Sequence, residues 1–414
     1  MARIYGYQLT TTSGGNLSLR DGDGNTWITP AALDKGDLRR EQIVQVRPDD
    51  SVEGSIRPSS ELPFHRAIYQ ARPDLGAIVH AHPVNLVAFS LVHQAPDTRL
   101  LPPVFRVCGE VGFAPYALPG SEQLGANIAQ AFARGFSCVI LENHGVVTGG
   151  KDLRQAFQRF EALEALARMI IKAKPIGPLH SLGQEQVEAL LKPGTPLSQR
   201  EPAGLSTEER ELRGQLCRFV QRGYQQRLLV SALGSFSARV GDDAFLITPH
   251  EQDRLTLEPE DFVLVANGSA EAGKLPSTVA ALHHAMYRRR PDVKAIITAC
   301  PEHATAFGLC RRPLEIRTIP ESYVVLRRVA QVSVETQLAG VDKVAECVSA
   351  QQPVAILENN GVIVTGSSVL SAYDRLEVLE YTAQSLIHAQ PLGKAIAISE
   401  PMVRQLEAAF LYSK

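Results

Sequence analysis

The sequence has little that would tie it to a membrane, a nucleic acid or the extracellular space. It has one tryptophan, four methionines and six scattered cysteines without a C-x-x-C pair in 414 residues. No stretch of about 20 apolar residues could span a bilayer, and the segment 1–15 has no apolar run typical of a signal peptide. A formal net charge of −2 argues against nucleic acid or an anionic membrane as a partner.

The remaining composition is typical of an ordinary globular protein, with 44% hydrophobic and 21% charged residues. At roughly 100–200 residues per domain, we expect two or three domains. A chain of this size needs no disulfide bonds to stabilise it. We therefore expect the cysteines to be reduced thiols and the protein to be cytoplasmic.

An internal repeat organises the chain. The segment RPDLGAIVHAHPVNLVAF at 72–89 returns as RPDVKAIITACPEHATAF at 290–307. Three further pairs keep the same order at offsets of 216 to 219 residues: ITP at 28–30 and 247–249, PSSE at 58–61 and PSTV at 276–279, LENHG at 141–145 and LENNG at 357–361. Four ordered matches at nearly constant spacing indicate a duplication.

The segment 193–204 separates the two repeats and is rich in proline, glycine and serine, which is typical of a linker. We predict a first domain over residues 1–197 and a second over residues 206–414. The second begins with an amphipathic helix capped at Ser206 and Thr207. The first repeat lacks this helix, and the sequence does not decide whether an upstream start was missed or the domain is trimmed.

Each repeat mixes helical periodicity with short apolar runs, which predicts an α/β domain without fixing its strand order. The predicted helices of the first repeat are 62–71, 121–134 and 151–173. Its predicted strands are 27–29, 43–46, 76–81, 137–141 and 145–148.

Three histidines of the first repeat are candidate metal ligands. Side chains at i and i+2 of a strand share one face, so His80 and His82 can chelate one ion. His144 follows another apolar strand, and Gly145 after it permits a tight turn and close approach. The alternative is that all three are ordinary polar or structural histidines.

Glu61 follows Pro58-Ser59-Ser60 and precedes an apolar run, a pattern that is also typical of a helix N-terminus. Free N–H groups at such an end attract phosphate, so a cap and an anion site are compatible there. Ser13-Gly14-Gly15-Asn16 can cradle a phosphate with its backbone N–H groups, with an ordinary turn as the alternative.

The second repeat favours the functional interpretation of these residues. All four candidate positions have changed, while the surrounding frame is kept. The replacements are Thr298 for His80, Cys300 for His82, Asn360 for His144 and Val279 for Glu61. Ligands that depend on one shared ion are expected to change together. We therefore predict one catalytic divalent metal ion in the first repeat and a lost metal site in the second.

These segments together resemble the class II aldolase/adducin family, in order and over nearly the whole chain as two copies. L-fuculose-phosphate aldolase and L-ribulose-5-phosphate 4-epimerase are its nearest biochemical models. The matching motifs are S-G-G-N-L-S at 13–18, I-T-P at 28–30, P-S-S-E at 58–61, V-H-A-H at 79–82, A-P-Y at 114–116 and E-N-H-G at 142–145.

The resemblance implies two tandem α/β/α sandwich domains, each around a largely antiparallel central sheet. It implies that His80, His82 and His144 hold zinc, with manganese, cobalt or iron as alternatives, and that Glu61 moves protons. The positions that it implies for substrate and phosphate binding are Gly15, Asn16, Thr29, Ser59 and Ser60.

Three positions depart from the pattern that the resemblance leads us to expect. Ala31-Ala32 follow I-T-P where the sugar-phosphate enzymes read [ST]-G, which puts one part of the phosphate cradle in doubt. A catalytic tyrosine is expected near Phe105, but the tyrosine at the matching position is Tyr323 of the second repeat, which we hypothesise is lent to the first site. Glu110 lies near an acid that the epimerases use, and is either a second acid/base group or a surface carboxylate.

The implied chemistry is that of a class II, metal-dependent aldolase-type lyase. The ion acts as a Lewis acid that stabilises an enediolate, while Glu61 transfers the proton. Retro-aldol cleavage of a small hydroxylated, phosphorylated carbonyl compound is placed first. Decarboxylation, dehydration and epimerisation follow from the same intermediate and stay open.

A non-catalytic assembly module, like the adducin head domain, is the rival from another class, and a metal-dependent regulatory protein is a third possibility. The second repeat fits a scaffold, but the first keeps all four site positions. Since family members form tetramers, we expect a homodimer of chains that makes a pseudo-tetramer of domains.

Overall fold

The structure, a computed structural model, describes residues 1–192, 194, 197–201, 204 and 206–411. The chain forms two compact units. The first contains Met1–Thr98 and Val104–Arg168, and the second contains Arg99–Pro103 and the described residues from Met169 onward. Part of the predicted linker, namely residues 193, 195, 196, 202, 203 and 205, lies outside the described residues. The domain bounds at 197 and 206 stay predictions.

The first unit contains a seven-stranded sheet with the order β3-β2-β1-β4-β7-β6-β5. Every neighbouring pair is antiparallel except β5 with β6. The strands are β1 Asn16–Arg20, β2 Thr26–Ile28, β3 Val44–Val46, β4 Ala77–Ala81, β5 Val111–Ala114, β6 Cys138–Leu141 and β7 Gly145–Gly150.

Helices connect these strands along the chain. They are α1 Ala2–Gly6, α2 Leu62–Ala71, α3 Val84–Leu91, α4 Pro102–Cys108 and α5 Glu122–Ala133, and α6 Leu153–Ala173 follows the last strand. The next helix, α7 Gln184–Leu191, belongs to the second unit. Helix α5 starts at Ser121, whose hydroxyl accepts a hydrogen bond from Leu124 N and so satisfies a free donor of the first turn.

The packing of α2 and α5 against the sheet fixes the start of α2. Phe64 and Ile68 of α2 are buried in one cluster with Phe132 of α5 and with Ile78 and Val139 of the sheet. Burying side chains of this size contributes about 1.5–3 kcal/mol each. The N-terminal end of α2, where Glu61 stands, is therefore held against β4.

The second unit contains a nine-stranded sheet with the order β14-β15-β16-β13-β9-β10-β11-β12-β8. Its strands are β8 Ser198–Arg200, β9 Ser235–Arg239, β10 Ala244–Ile247, β11 Val263–Ala266, β12 Ser269–Glu271, β13 Ala295–Ala299, β14 Val329–Val332, β15 Val354–Leu357 and β16 Gly361–Gly366. Its helices are α8 Thr207–Gln225, α9 Ala280–Arg289, α10 Glu302–Leu309, α11 Pro320–Leu326, α12 Val334–Leu338, α13 Val341–Glu346, α14 Val369–Ala389 and α15 Glu400–Leu406.

Seven strands of the second sheet, from β11 to β14, repeat the order of the first sheet strand for strand. The predicted fold class, two α/β domains each around a largely antiparallel sheet, is confirmed. The second sheet adds β12 and β8 at one edge, and the two pair in parallel. Strand β8 lies inside the segment predicted as a linker, so residues 198–200 extend a sheet instead.

The predicted amphipathic helix at the start of the second repeat is α8. Its N-cap is Ser206, whose hydroxyl accepts from Glu209 N at 3.0 Å. In the first repeat, the five-residue helix α1 is the element that precedes the glycine turn. Among the described residues, no helix combines the length and hydropathy needed to cross a membrane.

A fully buried arginine supports the turn that precedes β9. Arg254 donates two hydrogen bonds to Gly234 O, at 3.1 and 2.9 Å, and one each to Pro249 O and Gln252 O at 3.0 Å. Burial lowers the pKa of Arg254 to about 10, so the guanidinium stays charged at neutral pH. Lys35, at the matching position of the first repeat, is also buried and donates to Pro30 O.

We expect Arg254→Met to lower the free energy of unfolding by roughly 2–4 kcal/mol, because three buried carbonyl groups lose charged donors. Urea denaturation followed by circular dichroism measures this change. The control is Arg288→Met, at an exposed position of α9, which should shift stability by less than about 0.5 kcal/mol. Equal midpoints for the two variants would contradict the supporting role of Arg254.

Candidate metal centre

The sheet register brings three histidines to one end of the first unit. His80 is the fourth residue of β4, where it pairs with Asn16 of β1 on one side and Val147 of β7 on the other. His82 follows β4 directly. His144 lies in the tight turn between β6 and β7, in which Asn143 takes a positive φ of 52°.

The three imidazoles form a compact triangle. Their ring centroids are 4.7 to 5.0 Å apart, and one nitrogen from each ring lies within 4.8 Å of the others. His80 Nε2 and His82 Nε2 are 3.0 Å apart. Nitrogens that share one tetrahedral ion at about 2.0–2.1 Å are about 3.3 Å apart. The donor set therefore fits a divalent metal ion.

Hydrogen bonding and burial prepare the rings to bind metal. His80 is fully buried, and its Nδ1–H donates to Val146 O at 2.9 Å, which leaves Nε2 to face the other rings. Burial, together with the neighbouring His80 ring, lowers the pKa of His82 to about 3 and that of His144 to about 4. Both rings are neutral at pH 7, and neutral imidazole is the form that coordinates a metal.

Glu61 joins this group through its side chain. It stands at the N-cap position of α2 but forms no capping hydrogen bond. Its Oε2 accepts from Asn16 Nδ2 at 2.7 Å and lies 3.3 Å from His80 Nε2, while Oε1 lies 3.6 Å from His144 Nε2.

Burial alone would raise the pKa of Glu61. The neighbouring His80 ring and its hydrogen bond oppose that effect, as do the hydrogen bond from the Asn16 amide and the neighbouring His144 ring, and together they hold the pKa well below its usual range. Glu61 is therefore an ionised carboxylate beside the imidazoles, and a carboxylate in that position can accept and return a proton.

Glycines allow the backbone to approach the histidines closely. Gly15 has a φ of +73°, and a Cβ on it would lie 2.7 Å from His80 O. A Cβ on Gly14 would lie 2.9 Å from His82 Nδ1, and one on Gly145 would lie 2.6 Å from Ala81 O. Larger residues at these three positions would displace the strand and ring that carry the site.

Three further positions predicted to bind substrate or phosphate, Thr29, Ser59 and Ser60, differ in burial and in hydrogen bonding. Thr29 is buried, and its hydroxyl already accepts from Leu17 N at 3.1 Å. Ser59 is buried and its Oγ accepts from Glu61 N at 3.3 Å, whereas Ser60 is exposed. Phosphate binding by Thr29, Ser59 and Ser60 stays a prediction, and so does phosphate binding by Gly15 and Asn16.

The remaining two candidates, Glu110 and Tyr323, lie in different units. Glu110 is exposed and precedes β5, beside Cys138 at the start of β6, whereas His144 follows the opposite end of β6. Tyr323 is on α11 of the second unit, where its hydroxyl donates to Glu407 Oε1 at 2.7 Å. Roles for Glu110 and Tyr323 stay predictions.

A group of buried residues behind Asn16 was not predicted from the sequence. His65 Nε2 lies 2.5 Å from Asn16 Oδ1, His65 Nδ1 lies 2.6 Å from Ser18 Oγ, and Ser18 Oγ lies 2.8 Å from Tyr69 OH. Burial and the nearby His80 ring lower the pKa of His65 to about 3, so its ring is neutral. The identity of these residues in the second repeat, as Ser237, His283 and Tyr287, was the available signal.

The second unit has no comparable donor set among its described residues. Thr298 and Cys300 are buried, and burial raises the pKa of the Cys300 thiol to about 12, so it is not a thiolate at neutral pH. Asn360 Nδ2 donates to Gln337 Oε1 at 3.0 Å. These contacts agree with the expected loss of metal ligands in the second repeat.

Curated relatives of the chain are named lyases. A 3-oxo-tetronate 4-phosphate decarboxylase of Pectobacterium atrosepticum is 36% identical over 165 residues, which are 39% of this chain and 75% of the relative. An L-fuculose phosphate aldolase of Methanococcus maripaludis is 34% identical over 172 residues, 40% of this chain and 89% of the relative. A solved L-fuculose 1-phosphate aldolase is 33% identical, covers 45% of this chain and 88% of that chain, and has a TM-score of 0.42.

The family model described as Class II Aldolase and Adducin N-terminal domain matches residues 1–171 and 214–387. The resemblance inferred from the motifs is thereby confirmed. The expected lyase class is confirmed too, because the relatives are named aldolases and decarboxylases. Because the two matched segments cover most of its length, the chain belongs to the class II aldolase and adducin N-terminal domain family.

Proposed function

We propose that the first repeat is the active site of a metal-dependent lyase that acts on a small, phosphorylated hydroxycarbonyl compound. The observation that supports it most is the position of the Glu61 carboxylate, 3.3 Å from one of three clustered imidazoles. Ion, carbonyl substrate and proton acceptor would meet within one largely buried group. A scaffold needs none of these buried charges, which cost free energy to desolvate.

His80, His82 and His144 would hold the ion, for which zinc is the first choice. When bound, a divalent ion supplies Lewis-acid polarisation of a substrate carbonyl. The chain itself supplies the base: Glu61 accepts a proton at a carboxylate oxygen and returns it later. Asn16 fixes Oε2 of that carboxylate by its hydrogen bond, which holds the base in one orientation.

We place carbon–carbon bond cleavage first, as aldol cleavage or as decarboxylation. Both types occur among the relatives, one named an L-fuculose phosphate aldolase and one a 3-oxo-tetronate 4-phosphate decarboxylase. Both names include a phosphate, which supports a phosphorylated substrate. Dehydration and epimerisation are the second candidates, because they need the same proton transfer.

We further propose that the protein acts in the cytoplasm as a homodimer of chains, in which four domains carry two competent sites. The six cysteines, all free thiols, support a reducing compartment. The shared strand order of the two sheets supports an arrangement in which each chain takes the place of two subunits. Light scattering of the full chain tests this state, and a monomer would contradict it.

We expect the purified full chain to bind about one zinc or manganese ion per chain, because it has one three-histidine group. His82→Ala and His144→Ala should each weaken binding by at least about 100-fold, since removing a ligand costs more than the 10–100-fold that second-shell changes cost. Elemental analysis and competition with a chelating dye measure both quantities.

The matched control for the metal experiment is Asn360→Ala, at the position of the second repeat that corresponds to His144. It should leave the stoichiometry and affinity unchanged. Two ions per chain, or one ion that survives both histidine substitutions, would contradict the proposed site.

We expect Glu61→Gln to lower turnover by about 10²–10⁴-fold, because the amide cannot accept the proton, while the metal content is retained. Wild type is first screened against ketose phosphates and phosphorylated 3-oxo acids, with aldehyde and carbon dioxide measured separately to tell aldol cleavage from decarboxylation. Glu122→Gln, an exposed carboxylate in the first turn of α5, is the control.

Unaltered turnover in the Glu61→Gln variant would rule out the proposed base. Absence of turnover on the whole panel by the metal-loaded wild type would favour the non-catalytic alternative of an assembly module.

A further inference from the structure

A continuous set of hydrogen bonds leads from the protein interior to the carboxylate of Glu61. Tyr69 OH lies 2.8 Å from Ser18 Oγ, and Ser18 Oγ lies 2.6 Å from His65 Nδ1. His65 Nε2 lies 2.5 Å from Asn16 Oδ1, and Asn16 Nδ2 lies 2.7 Å from Glu61 Oε2. His65 is fully buried, and Asn16 and Ser18 are nearly so. The set bypasses the three metal ligands.

The Asn16 amide determines the direction of every bond in this set. Its Nδ2 donates to Glu61 Oε2, so its carbonyl oxygen faces His65 and can only accept there. His65 must then donate from Nε2–H, which leaves Nδ1 to accept from the Ser18 hydroxyl. The Ser18 oxygen is left to accept from the Tyr69 hydroxyl. Each donor therefore points toward Glu61, and each bond strengthens the next.

The second repeat keeps the hydrogen bonds that join the tyrosine, serine and histidine, but lacks the two that the Asn16 side chain makes in the first repeat. His283 Nδ1 lies 2.7 Å from Ser237 Oγ, which lies 2.8 Å from Tyr287 OH, as in the first repeat. Ser235 replaces Asn16, and its hydroxyl instead pairs with Thr248 Oγ1 at 2.6 Å. His283 Nε2 is buried and, within the described part of the chain, has no hydrogen-bond partner. The histidine persists, but the group that it would orient is gone.

A buried nitrogen without a partner costs about 1–3 kcal/mol. The fold alone therefore gains nothing from the second ring nitrogen, Nε2, of His283. In the first repeat the corresponding atom, His65 Nε2, is hydrogen-bonded to the carbonyl oxygen of Asn16. This ring nitrogen therefore has a partner in the repeat that contains Glu61, and has none in the described part of the repeat that contains Val279 instead.

We propose that His65 is a positioning residue for Glu61, acting through the Asn16 amide. It holds the amide in the one orientation that donates to the carboxylate, and so keeps Glu61 beside the metal ligands. The significance of this arrangement for turnover rests on the proposed function, because Glu61 is the base there. His65 itself touches neither a substrate nor the ion.

The first test needs no substitution in the measured protein. Nitrogen-15 NMR of histidine-labelled, metal-free full chain at pH 7 reports which ring nitrogen carries the proton, and the His65→Gln variant identifies the His65 signal. We expect a neutral ring protonated at Nε2. Protonation at Nδ1 would overturn the proposal, because Nε2 would then accept and the amide could not turn its NH₂ group to Glu61.

The second test compares two variants that each keep half of the imidazole. Gln at position 65 can place its NH₂ group near the site of Nε2 and keep the bond to Asn16, whereas Asn at this position reaches only the site of Nδ1, next to Ser18. With zinc alone as the probe, we expect His65→Asn to bind about 10-fold more weakly than wild type, as loss of a second-shell partner does. His65→Gln should stay within about 3-fold of wild type.

His283→Asn and His283→Gln are the matched controls, because His283 has the same neighbours without the Asn16 contact. Both should leave zinc affinity unchanged, and thermal denaturation of all four variants reports the structural cost alone. Equal zinc affinities for His65→Asn and His65→Gln would show a merely structural histidine and overturn the proposal. Neither readout uses a substrate. If wild type bound no zinc, the proposed function would fail and the NMR result alone would decide the role of His65.

Discussion

The pairing of β1, β4 and β7 is the constraint on which the candidate site depends. His80 pairs with Asn16 on one side and with Val147 on the other, and its ring is tied to Val146 O. A shift of one residue in this register would turn His80 to the opposite face of the sheet. Gly15 and Gly145 admit the close approach that the register requires. Backbone pairing, more than any single side-chain contact, therefore sets the position of the ligands.

A second consequence of this arrangement is the separation of roles around one carboxylate. The imidazoles face Glu61 from one direction, and the Asn16 amide reaches it from another. The helix that carries Glu61 is fixed by apolar packing at Phe64 and Ile68. Ligands, base and support come from different elements, so the second repeat could lose the first two and keep the frame.

The sequence predicted the fold class, the duplicated frame and the group of Glu61 with three histidines, because these depend on local periodicity and on differences between repeats. It missed β1 and β5, in which buried residues alternate with partly exposed ones instead of forming an apolar run, and α3, whose eight residues follow the histidines directly. It also missed His65, because partners 47 to 49 residues away become neighbours only after the strands pair. Glu110 was left between a second acid/base group and a surface carboxylate, and it is exposed at the start of β5, at the opposite end of the sheet from the turn that carries His144.

The segment between the two repeats contributes strand β8 to the second sheet. Residues Ser198–Arg200 pair with Ser269–Glu271 and close the edge of the second sheet. A second repeat expressed from residue 206 onward would leave β12 with a row of unsatisfied backbone groups, which is a template for pairing with another chain. Fragments that begin before residue 198 keep β12 paired, and the three-residue strand β8 then forms the outer edge of the sheet in place of β12.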